Sequence, residues 1–322
     1  MNSQQHQDFG TRDSSGHWKP PNPAGFSPLF ERPWSLLKVV RWLFQWGGYI
    51  FPMYVFYATL AWLSYSYLQP SMDTFNQLEF RWIMLILIRN LSLTIIVYGS
   101  YHFILYRWRL HGNKQKYNPK WQQTGSRKFL FGSQVWDNIF HTCVYGVPVW
   151  TAYEVVYLRL AAGGRLPLLN FSSNPVWFTA IFFIVPIWRE SHFYFVHRLL
   201  HWKPLLRAVH SVHHRNPNPG PWSGLSMHPL EHVVYFSQLL IHFVIPAHPI
   251  HFLFNSQISG LSPSKGHIGF EGPLFNGLWP TGDYFHYLHH KHVSCNYGTP
   301  TIPWDRWLGR HYDGNGKYRT KG

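Results

Sequence analysis

Disulfides play little part in this chain: it has two cysteines, Cys143 and Cys295, too few for a disulfide-built secreted module. Acidic residues are also scarce, 13 against 28 Lys and Arg, for a net charge of +15. That excess calls for an anionic neighbour. No RNP box, Cys/His finger spacing or basic heptad helix accompanies it, so nucleic acid is not expected as a partner. The anionic face of a bilayer accounts for it better. The sequence lacks G-x-G-x-x-G, which removes a bound flavin or nicotinamide, and lacks His-Glu-x-x-His, which leaves a zinc hydrolase without its general base. It has no His-Pro-Gly-Gly haem motif, and its first residues do not have the charged-then-apolar layout of a signal peptide.

Aromatic residues and histidines are abundant. Aromatics make up 19% of the chain, including 17 Trp, as suits a protein with rings at a membrane boundary. A mean hydropathy of -0.19 hides strong segregation of apolar from polar stretches. Residues 1–33, rich in Pro, Gly, Ser and Gln, are expected to form a flexible arm. The apolar stretches predict an all-α integral membrane protein, with a four-helix transmembrane bundle over 34–188 and spans at about 43–68, 82–106, 139–158 and 175–188. The fourth is expected to run on as a helix past the membrane. Arg89 and Glu154 fall inside spans, where they either pair or snorkel. Lys and Arg cluster before the first span and between the second and third, which places both segments and the active site in the cytoplasm. Residues 189–322 then form a cytoplasmic, histidine-rich cap that binds two metals. Its stretch 232–255, broken by Pro246 and Pro249, is expected to be a re-entrant or interfacial hairpin.

Most of the 22 histidines lie in this cap. They form boxes: His192 and His197 followed by His201; His210, His213 and His214; and His286, His289 and His290 followed by His292. On a helix, residues three or four apart share a face, whereas adjacent ones diverge by about 100°. A His-x2-His-His box can therefore touch two metals, or bind one and brace another. The boxes hold more imidazoles than the four ligands of one tetrahedral zinc, so two metals are expected. Imidazole alone does not choose among Fe, Zn, Cu and Ni. His228, His232, His201 and His292 are candidates for orienting the ligands. His6, His17, His102, His111, His242, His248 and His251 read as structural. His267 and Glu271 form a further pair that would share a face if that segment were helical.

The three boxes, the "HPLE" element, the His-x-Gly step at His267 and the closing "NYGTPTIPWDRWLG" resemble the fatty acid hydroxylase / sterol desaturase superfamily over about residues 80–310. The resemblance implies a dioxygen-dependent, membrane-bound di-iron oxidoreductase that hydroxylates or desaturates a sterol or fatty acyl chain. Carried over by position, the metal ligands are His192, His197, His210, His213, His214, His267, His286, His289 and His290. Glu271 stands where some members have a further His. Arg310 replaces the usual Thr after the final Gly. Zinc could substitute for the two irons in purified protein. No catalytic residue is expected beyond the metal ligands; His201, His228, His232, Glu271 and His292 are candidates for extra ligands or for groups that orient the ligands.

The bilayer in question is a bacterial inner membrane or the endoplasmic reticulum. Electrons would come from a separate donor of reductase, cytochrome or ferredoxin type, which a basic surface could dock. An acyl-CoA-type desaturase is the alternative, although its spans lie between the second and third boxes. A membrane zinc hydrolase and a metal transporter rank below it, the latter because transport needs ligands near mid-bilayer.

Overall fold

The computed structural model describes residues 10–21, 26–275, 278–316 and 318. His6 and the start of the expected arm lie outside them. Residues 11–19 make a small hairpin of β1 (Thr11–Arg12) and β2 (Trp18–Lys19). Trp18 is buried against Tyr117, and Ser27 bonds to the main chain at Pro300 and Thr301. The described part of the arm is thus laid along the cap. One buried indole and a few main-chain bonds supply the anchorage that its polar composition does not advertise.

The first expected span is divided. α1 (Leu36–Phe44) and α2 (Met53–Tyr67) flank a turn containing Gly47, Gly48 and Pro52, where Gly47 has φ +75°. Ser35 caps α1 by accepting from Lys38 N. Leu36, Leu37, Val40 and Phe44 are exposed on it, while Lys38 and Arg41 give it positive charge. α3 (Phe80–His102) continues through a π-turn to Arg107. It is the one helix among the described residues long and apolar enough to cross a membrane. α4 (Gln134–Phe140) joins α5 (Val147–Ala162) through a π-turn at His141–Gly146. α6 (Pro175–Leu200) is a single helix, begun by an Asn174 cap and Pro175. Arg89 on α3 and Glu154 on α5 form a buried ion pair at 2.5 Å. Asn90 reaches the same carboxylate at 3.1 Å.

The cap follows. A π-turn over Leu206–His210 leads into α7 (Ser211–His214), then come α8 (Pro229–Phe236), α9 (Pro249–Leu261) and the single turn α10 (Pro263–Gly266). A hairpin of β3 (Gly272–Leu274) and β4 (Trp279–Thr281) precedes α11 (Tyr284–His292) and α12 (Trp304–Trp307). His228 and His248 cap α8 and α9, each followed by Pro at the first helical position.

The stretch 232–255 breaks before Pro249, and its second arm is buried within the protein. Every residue of α9 is buried, and the helix packs against α2, α3, α5 and α6. It bonds to its neighbours through polar groups: Gln257 donates to Ser64 Oγ at 2.7 Å, and Tyr98 donates to Gly260 O at 2.9 Å. A helix buried on every side, whatever its mix of polar and apolar residues, packs as part of the core. Gly260 permits the closest approach, because a Cβ there would run into the Trp150 ring.

Candidate metal centre

α6 brings His197 and, just past its last residue, His201 onto one face, four residues apart. α11 does the same with His286 and His290, and adds His289. Two clusters of potential ligands result among the described residues. His197, His201, His210, His214 and His289 form one; His213, His267, His286 and His290 form the other. The adjacent imidazoles of His213 and His214 go to different clusters, as do those of His289 and His290.

Within each cluster the Nε2 atoms converge. His210 lies 3.1 Å from both His197 and His214, and His214 lies 3.2 Å from His201 and 3.1 Å from His289. In the second cluster, His267 lies 3.2 Å from His213, 2.9 Å from His286 and 3.0 Å from His290.

The opposite nitrogens explain what these separations mean. His197 Nδ1 is 2.6 Å from Tyr297 O, His267 Nδ1 is 2.9 Å from Pro263 O, and His289 Nδ1 is 2.7 Å from Cys295 O. His213 Nδ1 faces Ser226 O at 3.4 Å, and His210 Nδ1 is 2.6 Å from the Glu231 carboxylate. Carbonyl and carboxylate oxygens only accept, so these Nδ1 atoms carry the proton and leave Nε2 a bare lone pair. Lone pairs about 3 Å apart repel unless a cation sits among them, and this spacing suits ligands about 2.1 Å from a shared ion. The donors therefore fit metal at both clusters.

Burial keeps the rings neutral, as ligands must be. It pushes His197 and His267 down to about 4 and His214 to about 3. Burial, reinforced by neighbouring imidazoles, holds His201, His210, His213, His286, His289 and His290 well below the usual range.

The clusters differ from the expected ligand set at one position. His192 is in neither, and its Nε2 lies 3.0 Å from Ser237 Oγ. It precedes His197 by five residues, about 140° around the helix, while His201 follows by four, about 40° away. His201, expected as a support or an extra ligand, lies in the cluster instead. His228 is a helix cap, and His232 is buried against Gly146. His292 packs on Tyr312 and Tyr318. Glu271 is buried, but the chain from Ile268 onward is extended, so it shares no helical face with His267. It accepts from Tyr117 Oη instead.

Two supports went unassigned in the sequence. Glu231 is the acid of "HPLE", and its carboxylate is the only side-chain acceptor holding a clustered imidazole among the described residues. Replacing it with Ala should lower metal affinity or turnover roughly 10- to 100-fold. Gln, which keeps an oxygen acceptor, should recover part of the loss; metal analysis and turnover of both variants check this. Asp305 accepts from Tyr297 N at 2.8 Å and Gly298 N at 2.7 Å. It thereby holds the turn whose carbonyls at Cys295 and Tyr297 orient His289 and His197.

A cavity of about 230 Å3 opens on both clusters. His197, His210, His213, His267 and His286 line one part of it. Met53, Tyr54, Tyr57, Tyr235 and Ile258 give it apolar walls, and it extends to the α1–α2 turn at Trp42 and Gly47.

Residues 182–310 match the fatty acid hydroxylase family model, and this part of the chain belongs to the fatty acid hydroxylase / sterol desaturase superfamily. A Delta(7)-sterol 5(6)-desaturase of Candida albicans is 27% identical over 52% of this chain and 44% of its own length. The Delta(7)-sterol 5(6)-desaturase of Saccharomyces cerevisiae is 31% identical over 42% of this chain and 35% of its own. Methylsterol monooxygenase 1 of Gallus gallus is 31% identical over 37% and 42%. The chain thus spans less than half the length of these curated relatives. No solved structure matches it.

Proposed function

We propose that the protein is a membrane-embedded, dioxygen-dependent di-iron oxidoreductase that hydroxylates or desaturates a lipid. The observation that carries this reading is the cavity with apolar walls and imidazole nitrogens from both clusters on one side. Iron at those clusters would supply the dioxygen activation that oxidation of an unactivated C–H bond requires. The chain's own part is to hold neutral imidazoles by their Nδ1 protons, exclude water with the aromatic walls and align the lipid. Sterols are the first substrate class to test, because the relatives' names include sterol desaturases and a methylsterol monooxygenase. Electrons would come from a separate carrier.

Purified active protein should contain close to two irons per chain, and a host lacking the gene should accumulate a lipid differing from its product by one oxygen atom or two hydrogens. Elemental analysis and lipidomics measure these outcomes. One metal at most in active protein would overturn the di-iron reading.

Large apolar side chains exposed on α2, α3, α5 and α6, such as Trp62, Ile88, Ile96, Val156 and Ile187, support burial of this part in a bilayer. The four-span arrangement has the cap on the cytoplasmic side. The loop between α3 and α4 bridges to the cap at Lys116 and Phe270, which agrees with that arrangement. Cysteines placed at the exposed positions Lys120 and Lys291 should label from the cytoplasm, and one at Arg165 from the opposite side. Labelling of the first two from different sides would refute it.

A further inference from the structure

The cavity contains a polar corner that the metal chemistry does not use. Lys265, on α10, lines it two residues before His267. Among the described residues no hydrogen bond or ion pair within 4 Å holds its ammonium; the carboxylates that act on it from further off are Asp283, Glu271 and Glu190. Asp283 also lines the cavity. Its Oδ1 is occupied, accepting from His286 N at 2.9 Å to start α11. Its Oδ2 has no such partner among the described residues and would lie 3.8 Å from a Cβ on Gly266, the residue after Lys265.

The remaining charges nearby are already engaged. Glu190 accepts from Tyr54 Oη at 3.0 Å and from Thr299 Oγ1 at 2.9 Å, and it faces Arg189 at 3.7 Å. Glu271 accepts from Tyr117. An ammonium and a carboxylate oxygen therefore line one cavity without pairing to each other. A group that accepts from one and donates to the other fits between them.

We propose that Lys265 and Asp283 bind a hydroxyl group of the lipid, the oxygen accepting from Lys265 Nζ and the proton going to Asp283 Oδ2. This rests on the lipid-oxidation reading above and adds what the substrate must carry. A carboxylate or phosphate fits less well, because it would meet Asp283 and Glu190 with the same sign of charge. An alkane end would leave both groups desolvated and unpaired, which is costly. Since both residues adjoin ligands of the second cluster, the hydroxyl also fixes which stretch of the lipid lies nearest the metals.

The test is binding of matched probes to the purified, metal-loaded protein, followed by native mass spectrometry: cholesterol, cholestane and cholesteryl sulfate, and in parallel hexadecanol, hexadecane and hexadecanoate. In at least one series the wild type should hold the alcohol roughly tenfold or more tighter than the alkane, and tighter than the anion. Lys265→Met should erase the preference for alcohol, by weakening alcohol binding and relieving the cost of seating an alkane, with metal content as the control for an intact site. Asp283→Asn, which keeps the Oδ1 acceptor for α11, should also erase it, and decides the matter if Lys265→Met fails to fold. Equal binding of alcohol and alkane, preference for the anion, or retention of the alcohol preference in Asp283→Asn overturns the inference but leaves lipid oxidation standing. Failure of every probe to bind defeats both.

Discussion

Replacing His267 with Ala should abolish turnover and lower metal content to one ion per chain or fewer. Its Nε2 is the hub of the second cluster, within 3.2 Å of His213, His286 and His290, and it is reached from a segment that contributes no other ligand. No neighbouring imidazole can take its place. Its Nδ1 is tied to Pro263 O in the same turn, so the ring is held in place before any ion arrives. The effect should therefore appear as lost metal, not lost protein. Elemental analysis and a turnover assay on the same preparation check it, with expression level and melting temperature as controls. Retention of two metals would remove His267 from the centre.

The pair His201 and His192 separates two readings of the first box. His201→Ala should cost at least a hundredfold in turnover and weaken metal at the first cluster, where its Nε2 lies 3.2 Å from His214. His192→Ala should change turnover by less than about threefold, because its Nε2 meets only Ser237. Parallel kinetics of the two variants decide between them. The opposite result would mean that the five-residue spacing is the functional one.

The second and third boxes could be read directly from the chain. In each, the clustered histidines lie three and four residues apart on one short stretch, so sequence spacing is nearly spatial spacing. In the first box the family position points to His192, whereas helix geometry brings His201 into the cluster. What remained hidden involves long-range main chain. The carbonyls of Tyr297 and Cys295 meet His197 and His289 only after a turn through left-handed Val293 and Asn296. No residue type announces which carbonyl an imidazole will find. Glu231 left a trace, an acid between two histidines, but its partner His210 lies on a different element. The break between α1 and α2 was signalled by Gly47, Gly48 and Pro52, and an uncharged run outweighed those signals. In α9, polar residues such as Asn255, Ser256 and Gln257 are spread among apolar ones, so no exposed face could be read from the sequence; the packing of α2, α3, α5 and α6 around it buries them all.

The anchoring of the imidazoles also limits what heredity can adjust. For His197, His213, His267 and His289 the Nδ1 partner is a peptide carbonyl, which every amino acid at that position would supply. Among these anchored rings, His210 alone hangs from a side chain, Glu231. A single codon change can therefore retune the electron donation of one ligand directly, while the other four respond only to changes that reshape the backbone. With metal bound at the clusters, position 231 would be the most direct mutational route to the metal's properties.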